Sequence, residues 1–95
     1  MLFEWDPKKA AANLRKHGVD FDMARTVFAD PDRIEAFSRL AAGEERFVSI
    51  GTAADGNILI IAFTWRTYEN EETVCRIISA RKAHKQERRR YAAVH

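Results

Sequence analysis

Apolar and charged positions alternate at the start of the chain, where Phe3-Glu4-Trp5 reads as a short strand. Asp6-Pro7 then changes the rhythm. An Asp side chain accepts from the orphan amides of a helix start and Pro suits the first helical position, so a helix is predicted from Pro7 to His17, where Gly18 stops it. On that helix Ala10, Ala11 and Leu14 form the apolar stripe, while Lys9, Asn13 and Lys16 share a polar face with His17 beside them. Phe21, Ala24, Val27 and Phe28 recur at helical spacing and predict a second helix facing the core. The Asp30-Pro31-Asp32 turn ends it.

Beyond this turn the pattern becomes that of strands: Arg33 to Arg39, Glu45 to Ala53, Asn57 to Arg66 and Thr73 to Ala80. Ala41-Ala42-Gly43-Glu44 and Ala54-Asp55-Gly56-Asn57 suit hairpin turns, and Thr67 to Glu72 makes an acidic loop. The run Ile58 to Phe63 is apolar on both faces, which places its strand centrally in the sheet. In the last strand Val74, Ile78 and Ala80 share a face with Arg76, so that guanidinium needs either a structural ion pair or a concave site. This strand is expected to run without a loop into a final helix, Ala80 to Ala93, capped by Ser79. The predicted order is a short strand, two helices, a four-stranded antiparallel sheet and a basic C-terminal helix. That is an α+β fold in a single domain spanning residues 1–95.

Charge sharpens the picture. Residues 76–95 carry seven basic side chains against Glu87 alone, whereas the first 75 residues hold nine basic and thirteen acidic ones. The net charge of +2 therefore conceals an acidic body with a basic end, suited to a polyanion or an acidic partner. Lys82, Lys85, Arg89 and Arg90 are expected to face outward on the last helix. No secretory signal and no apolar run of roughly 20 residues is present, so a cytoplasmic protein is expected. Cys75 is the only cysteine and is expected to be a buried structural thiol. His17, His84 and His95 lack companion ligands at metal-site spacing, and neither a phosphate loop nor a nucleophile elbow occurs. No metal or nucleotide cofactor is expected.

The strings FEWDPKKAAANLRKHGVDF, VFADP, GEERFVSIG and RIISARKAHKQERRRY carry a further signal. In this order, and above all through WDPxK, NxxKHGV and RIISARxAxxxER, the chain resembles the BrnT family of bacterial type II toxins over nearly its whole length. The resemblance implies a RelE-like ribonuclease fold that cuts RNA and halts translation. It also implies a BrnA-like ribbon-helix-helix antitoxin, encoded alongside, through which the complex would bind promoter DNA. The Thr67 to Glu72 loop, with three glutamates, is less typical of the family.

Metal-independent RNA cleavage needs a base for the 2′-hydroxyl proton, cations for the charge on the phosphoryl oxygens and an acid for the leaving oxygen. The catalytic candidates are His17 or Glu87 for proton transfer, with Arg76 and Arg81 for the phosphate. Lys9, Lys16, Arg66 and Arg88 are candidate phosphate contacts, and Trp5 and Tyr91 candidate base-stacking groups. Several of these have a structural alternative. His17 can bond the last carbonyls of its helix, Glu87 can serve an ion pair, Lys9 and Lys16 can be solvated, and Trp5 and Tyr91 can be core. The competing function is a non-catalytic basic module that binds nucleic acid or protein.

Overall fold

In the computed structural model, which describes residues 1–94, the first helix has the predicted bounds. It is α1, Pro7–His17; Asp6 accepts from the Lys8 amide at 2.8 Å, and Gly18 closes it with φ +71°. His95 lies outside the described residues. The second helix is short: α2, Phe21–Ala24, capped by Asp20, tightens into a 3-10 segment, Arg25–Ala29. Phe21, Ala24 and Val27 are buried as expected.

The strands are β1 (Leu2–Glu4), β2 (Ile34–Ala41), β3 (Glu44–Thr52), β4 (Ile58–Thr67) and β5 (Thr73–Lys82). They form one five-stranded mixed sheet in the order β1-β5-β4-β3-β2, which corrects the expected four-stranded antiparallel sheet. The short N-terminal strand joins β5 in parallel, pairing Leu2, Phe3 and Glu4 with Val74, Cys75 and Arg76. β4 is central and carries the core residues Leu59, Ile61 and Phe63 against α1, α2 and the 3-10 segment.

The final helix also departs from expectation. Ala80, Arg81 and Lys82 continue the ladder opposite Ile61, Ile60 and Leu59, because strand pairing there outweighs the local helix signal. The last helix, α3, is Lys85–Ala93, with His84 rather than Ser79 at its start. Glu87 accepts from the His84 amide at 2.7 Å and receives Arg81 through both guanidinium ends, at 2.7 and 2.9 Å. Tyr91, at the far end of α3, donates to Asp30 and shares a hydrogen bond of 3.1 Å with Thr52, so α3 is tied at both ends to the sheet face opposite α1 and α2.

Side chains alternate between the faces of a regular strand, so Arg76 and Arg81, five apart, would point to opposite sides. A β-bulge reverses this. Ala62 pairs with Ser79 and Phe63 with Ile77, leaving Ile78 as the extra residue. Ile77 and Ala80 are thereby both buried on the helix side, while Arg76 (opposite Thr64) and Arg81 (opposite Ile60) share the other, open face.

Parallel pairing with β1 ends at Arg76, which leaves the edge of β5 bare from Ile77 onward. Asn13 of α1 fills this gap. Its Oδ1 accepts from the Ala80 amide at 3.0 Å, and its Nδ2 donates to the Ala80 carbonyl at 2.8 Å and to the Val19 carbonyl at 2.9 Å. Asn13 is only 7% exposed, so it belongs to the inner face of α1 and not to a solvated stripe with Lys9 and Lys16. Leu14, expected to belong to the apolar stripe of the helix, is 49% exposed instead.

Two stability outcomes follow from these anchors. Asn13→Ala leaves buried backbone groups unpaired and is expected to cost at least about 2 kcal/mol in a urea unfolding experiment. An unchanged midpoint would show that water replaces the amide. For Glu87, the Arg81 guanidinium first, then the His84 amide, hold the carboxyl well below its ordinary 4.5, at about 2. A lowered pKa contributes stability that is complete above pH 4.5 and disappears as pH falls through about 2. Glu87→Gln should therefore be less stable by about 2 kcal/mol at neutral pH, with the gap to wild type closing between pH 4.5 and 2. A gap independent of pH would rule out the ion pair as its source.

Candidate active site

The open face begins as an aliphatic floor. Ile34 and Ala36 of β2, Val48 and Ile50 of β3, and Ile60 and Ala62 of β4 are cross-strand neighbours on this side, as the registers require. α3 covers part of the floor, and Arg90 closes a small cavity over Ile34, Ala36, Val48 and Ile50. The neighbouring cavity, about 220 Å³, is lined by Val48, Ile60 and Ala62 below and by His17, Ser79, Ala80 and Arg81 at its side.

His17 reaches this cavity because Asn13, one turn earlier, fixes α1 against Ala80. The imidazole is half-buried. Arg81 arrives from β5, and its charged state is reinforced by Glu87, which raises its pKa. The geometry of that pair matters for binding. Nη1 donates to Glu87 and to the Lys82 carbonyl, and Nη2 donates once to Glu87. A guanidinium has five N–H groups, so the edge formed by Nε and the second Nη2 hydrogen keeps its two donors. Such a fork matches two phosphoryl oxygens. Glu87 sits behind Arg81 and, held ionised down to about pH 2, is a weak proton acceptor; it orients the guanidinium.

Arg76 does not converge on this cavity. It lies about 15 Å up β5 at the usual strand rise and pairs with Glu4 at 2.6 Å. The Tyr68 hydroxyl also donates to Glu4; this bond above all, with Arg76 after it, lowers the Glu4 pKa, and the same bond to the Glu4 carboxylate raises that of Tyr68. Arg66 pairs with Glu44 at 3.3 Å on the same face. Arg88 is turned back to the Ala83 carbonyl at 2.7 Å. Lys9 and Lys16 are exposed on α1.

Two expected stacking groups are structural. Trp5 packs edge-on against Phe21 at 5.8 Å, in the layer on the opposite side of the sheet from Arg81, because it must close the core where the chain turns into α1. Tyr91 is occupied with Asp30 and Thr52, holding the end of α3. Cys75 is buried, as expected, and burial pushes its thiol up to about 12.

Sequence reasoning overlooked Glu4, Tyr68 and Ser79. The alternation Phe3-Glu4-Trp5 already placed Glu4 opposite its apolar neighbours, which was the available signal. For Ser79 the signal was masked by its resemblance to a helix cap. Among the described residues no group of three or more His, Cys, Asp or Glu is arranged to hold a metal ion. None of their helices is long and apolar enough to cross a membrane.

The crystal structure of the Brucella abortus ribonuclease toxin BrnT superposes on this fold with a TM-score of 0.59 and 23% sequence identity, covering 90% of this chain and all of that one. No curated protein sequence matches the chain. The family model for BrnT, the ribonuclease toxin of type II toxin-antitoxin systems, matches residues 5–87, a stretch that contains α1, the whole of β2 to β5 and the start of α3. The chain therefore belongs to the BrnT family of ribonuclease toxins of type II toxin-antitoxin systems.

Proposed function

We propose that this ribonuclease cuts single-stranded RNA without a metal ion, at the open-face cavity between α1 and β5. The observation that carries the reading is that His17 and Arg81 line one cavity while Arg81 keeps two N–H groups uncommitted. In the proposed step, His17 takes the proton of a ribose 2′-hydroxyl as that oxygen attacks the adjacent phosphorus. The bond from phosphorus to the 5′-oxygen breaks, and the departing oxygen takes a proton from solvent. Arg81 donates two hydrogen bonds to the phosphoryl oxygens as charge builds on them, and the aliphatic floor of Val48, Ile60 and Ala62 strengthens that interaction by limiting water. The products are a 2′,3′-cyclic phosphate and a 5′-hydroxyl end.

An antiparallel array of four strands with a basic open face supports grouping the fold with RelE-like ribonucleases. Family membership supports the remaining parts of the proposal: cytoplasmic action on messenger RNA that inhibits translation, and neutralisation by a BrnA-like ribbon-helix-helix antitoxin. In this reading the complex reaches promoter DNA only through the antitoxin. A ribbon-helix-helix reading frame adjacent to this gene, and co-purification of its product, are the expected findings.

The test uses the purified chain, freed of antitoxin, on single-stranded RNA in EDTA. Wild type is expected to cleave and to leave 5′ ends that polynucleotide kinase can label directly. His17→Ala should lose about 10²- to 10⁴-fold in rate. Arg81→Ala should lose about 10²-fold or more, and Arg81→Lys should recover little, since an ammonium lacks the fork. Circular dichroism checks that each variant is folded. Full activity in His17→Ala would remove His17 from the mechanism, intact RNA with wild type would favour a non-catalytic binding module, and loss of cleavage in EDTA would end the metal-free scheme.

A further inference from the structure

At the end of the open face away from α3, the sheet carries a row of arginines that the cleavage scheme does not use. Arg39 of β2 pairs with Arg46 of β3, and on the same face Arg76 of β5 pairs with Thr64 of β4 on one side and Glu4 of β1 on the other. Arg66, two residues beyond Thr64, stands beside the row. Spanning from β2 to β5, the row is about 14 Å long at ordinary strand separations.

Two β-bulges build it. One is the extra Ile78 that brings Arg76 onto the face of Arg81. The other is in β2, where Phe37 pairs with Phe47 but Arg39 pairs with Arg46, so Ser38 is the extra residue. Phe37 and Arg39, two apart, would otherwise share the helix side, where Phe37 meets Phe47 edge-on at 5.9 Å. The bulge turns Arg39 to the open face instead. Like charges placed directly across a strand pair destabilise a sheet, so Arg39 against Arg46 costs stability unless an anion joins them.

The internal anions do not cover the row. Glu44 is shared between the Arg46 Nε, at 3.5 Å, and the Arg66 Nη2, at 3.3 Å; both Nε atoms are buried, so the outward donors of these two arginines are their terminal Nη groups. Glu4 serves Arg76 and also accepts from Tyr68. Arg39 is exposed, with no ion pair among the described residues. Four guanidinium groups thus face two carboxylates.

We infer that this row is a second phosphate-binding subsite, taking the backbone of single-stranded RNA several nucleotides from the bond that is cut. The inference rests on the proposed cleavage site, since the row lies on the same face, about 15 Å from Arg81 along β5. Arg39 and Arg46 give it affinity without base specificity, because guanidinium contacts to phosphate carry no sequence information.

The experiment compares 2′-O-methyl RNA oligonucleotides of two and twelve residues, which lack the nucleophilic hydroxyl, binding to wild type and to Arg39→Gln/Arg46→Gln across a range of salt. The twelve-mer should bind wild type more tightly than the dinucleotide. The double variant should lose about tenfold for the twelve-mer, and its salt slope should fall by roughly 0.7 per lost contact. Dinucleotide binding should be unchanged. The variant should also unfold at the same temperature as wild type or higher, because a like-charge pair is relieved. Unchanged twelve-mer affinity and slope would overturn the subsite while leaving the His17 and Arg81 scheme standing. Equal loss for both lengths would merge the row with the cleavage site, and equal competition by twelve-residue polyglutamate would make it a docking surface for acidic protein; either overturns the proposal. Failure of the wild type to bind either length would bring down both readings.

Discussion

One side-chain amide stands where a strand would be needed. β1 covers the edge of β5 only as far as Arg76, and the backbone groups of Ala80 would face the interior unpaired if Asn13 did not supply an acceptor and a donor. Unpaired buried peptide groups are costly, so α1 has little freedom to slide or rotate on the sheet. The same amide holds the Val19 carbonyl, which fixes the turn after Gly18. The position of His17 over the sheet is thus set by backbone hydrogen bonding one turn away, before any interaction of the imidazole itself.

Two ion pairs on the open face, those of Arg81 and Arg76, have different consequences. At Arg81 the partner carboxylate approaches end-on and is itself fixed by the start of α3, so the cation is held rigid and the side edge of the guanidinium stays available. At Arg76 the partner Glu4 is shared with a tyrosine on an exposed loop. The acidic loop that looked atypical in the sequence therefore contributes Tyr68 to this cluster, while Glu69, Glu71 and Glu72 stay exposed.

Much of the chain could be read from local chemistry. Asp6-Pro7 and Gly18 bounded α1, the Asp-Gly turn placed a hairpin, and the string from Arg76 to Glu87 held both partners of the Arg81 ion pair. What escaped was nonlocal. Ala80 to Lys82 prefer a helix only until β4 is beside them, and the parallel docking of β1 depends on a strand seventy residues away. Asn13 fell at regular spacing with Lys9 and Lys16, so periodicity alone grouped it with solvated residues. Trp5 and Tyr91 were ambiguous because an aromatic side chain suits a core and a nucleotide equally well. Arg39 was invisible as a member of the basic face because strict alternation places it on the other side.

The bulge at Ile78 makes the layout of β5 depend on a count of residues as well as on their identity. Were one residue lost there, the segment on one side of the gap would turn over: Arg76 would exchange sides with Cys75 and Ile77, carrying a charge into the apolar layer and greasy side chains onto the basic face. A deletion in β5 therefore disturbs both faces of the sheet at once, whereas a substitution disturbs only the face its side chain occupies. Relatives of this protein can be compared for their active faces only when the spacing between the two arginines is kept, however well the flanking residues agree.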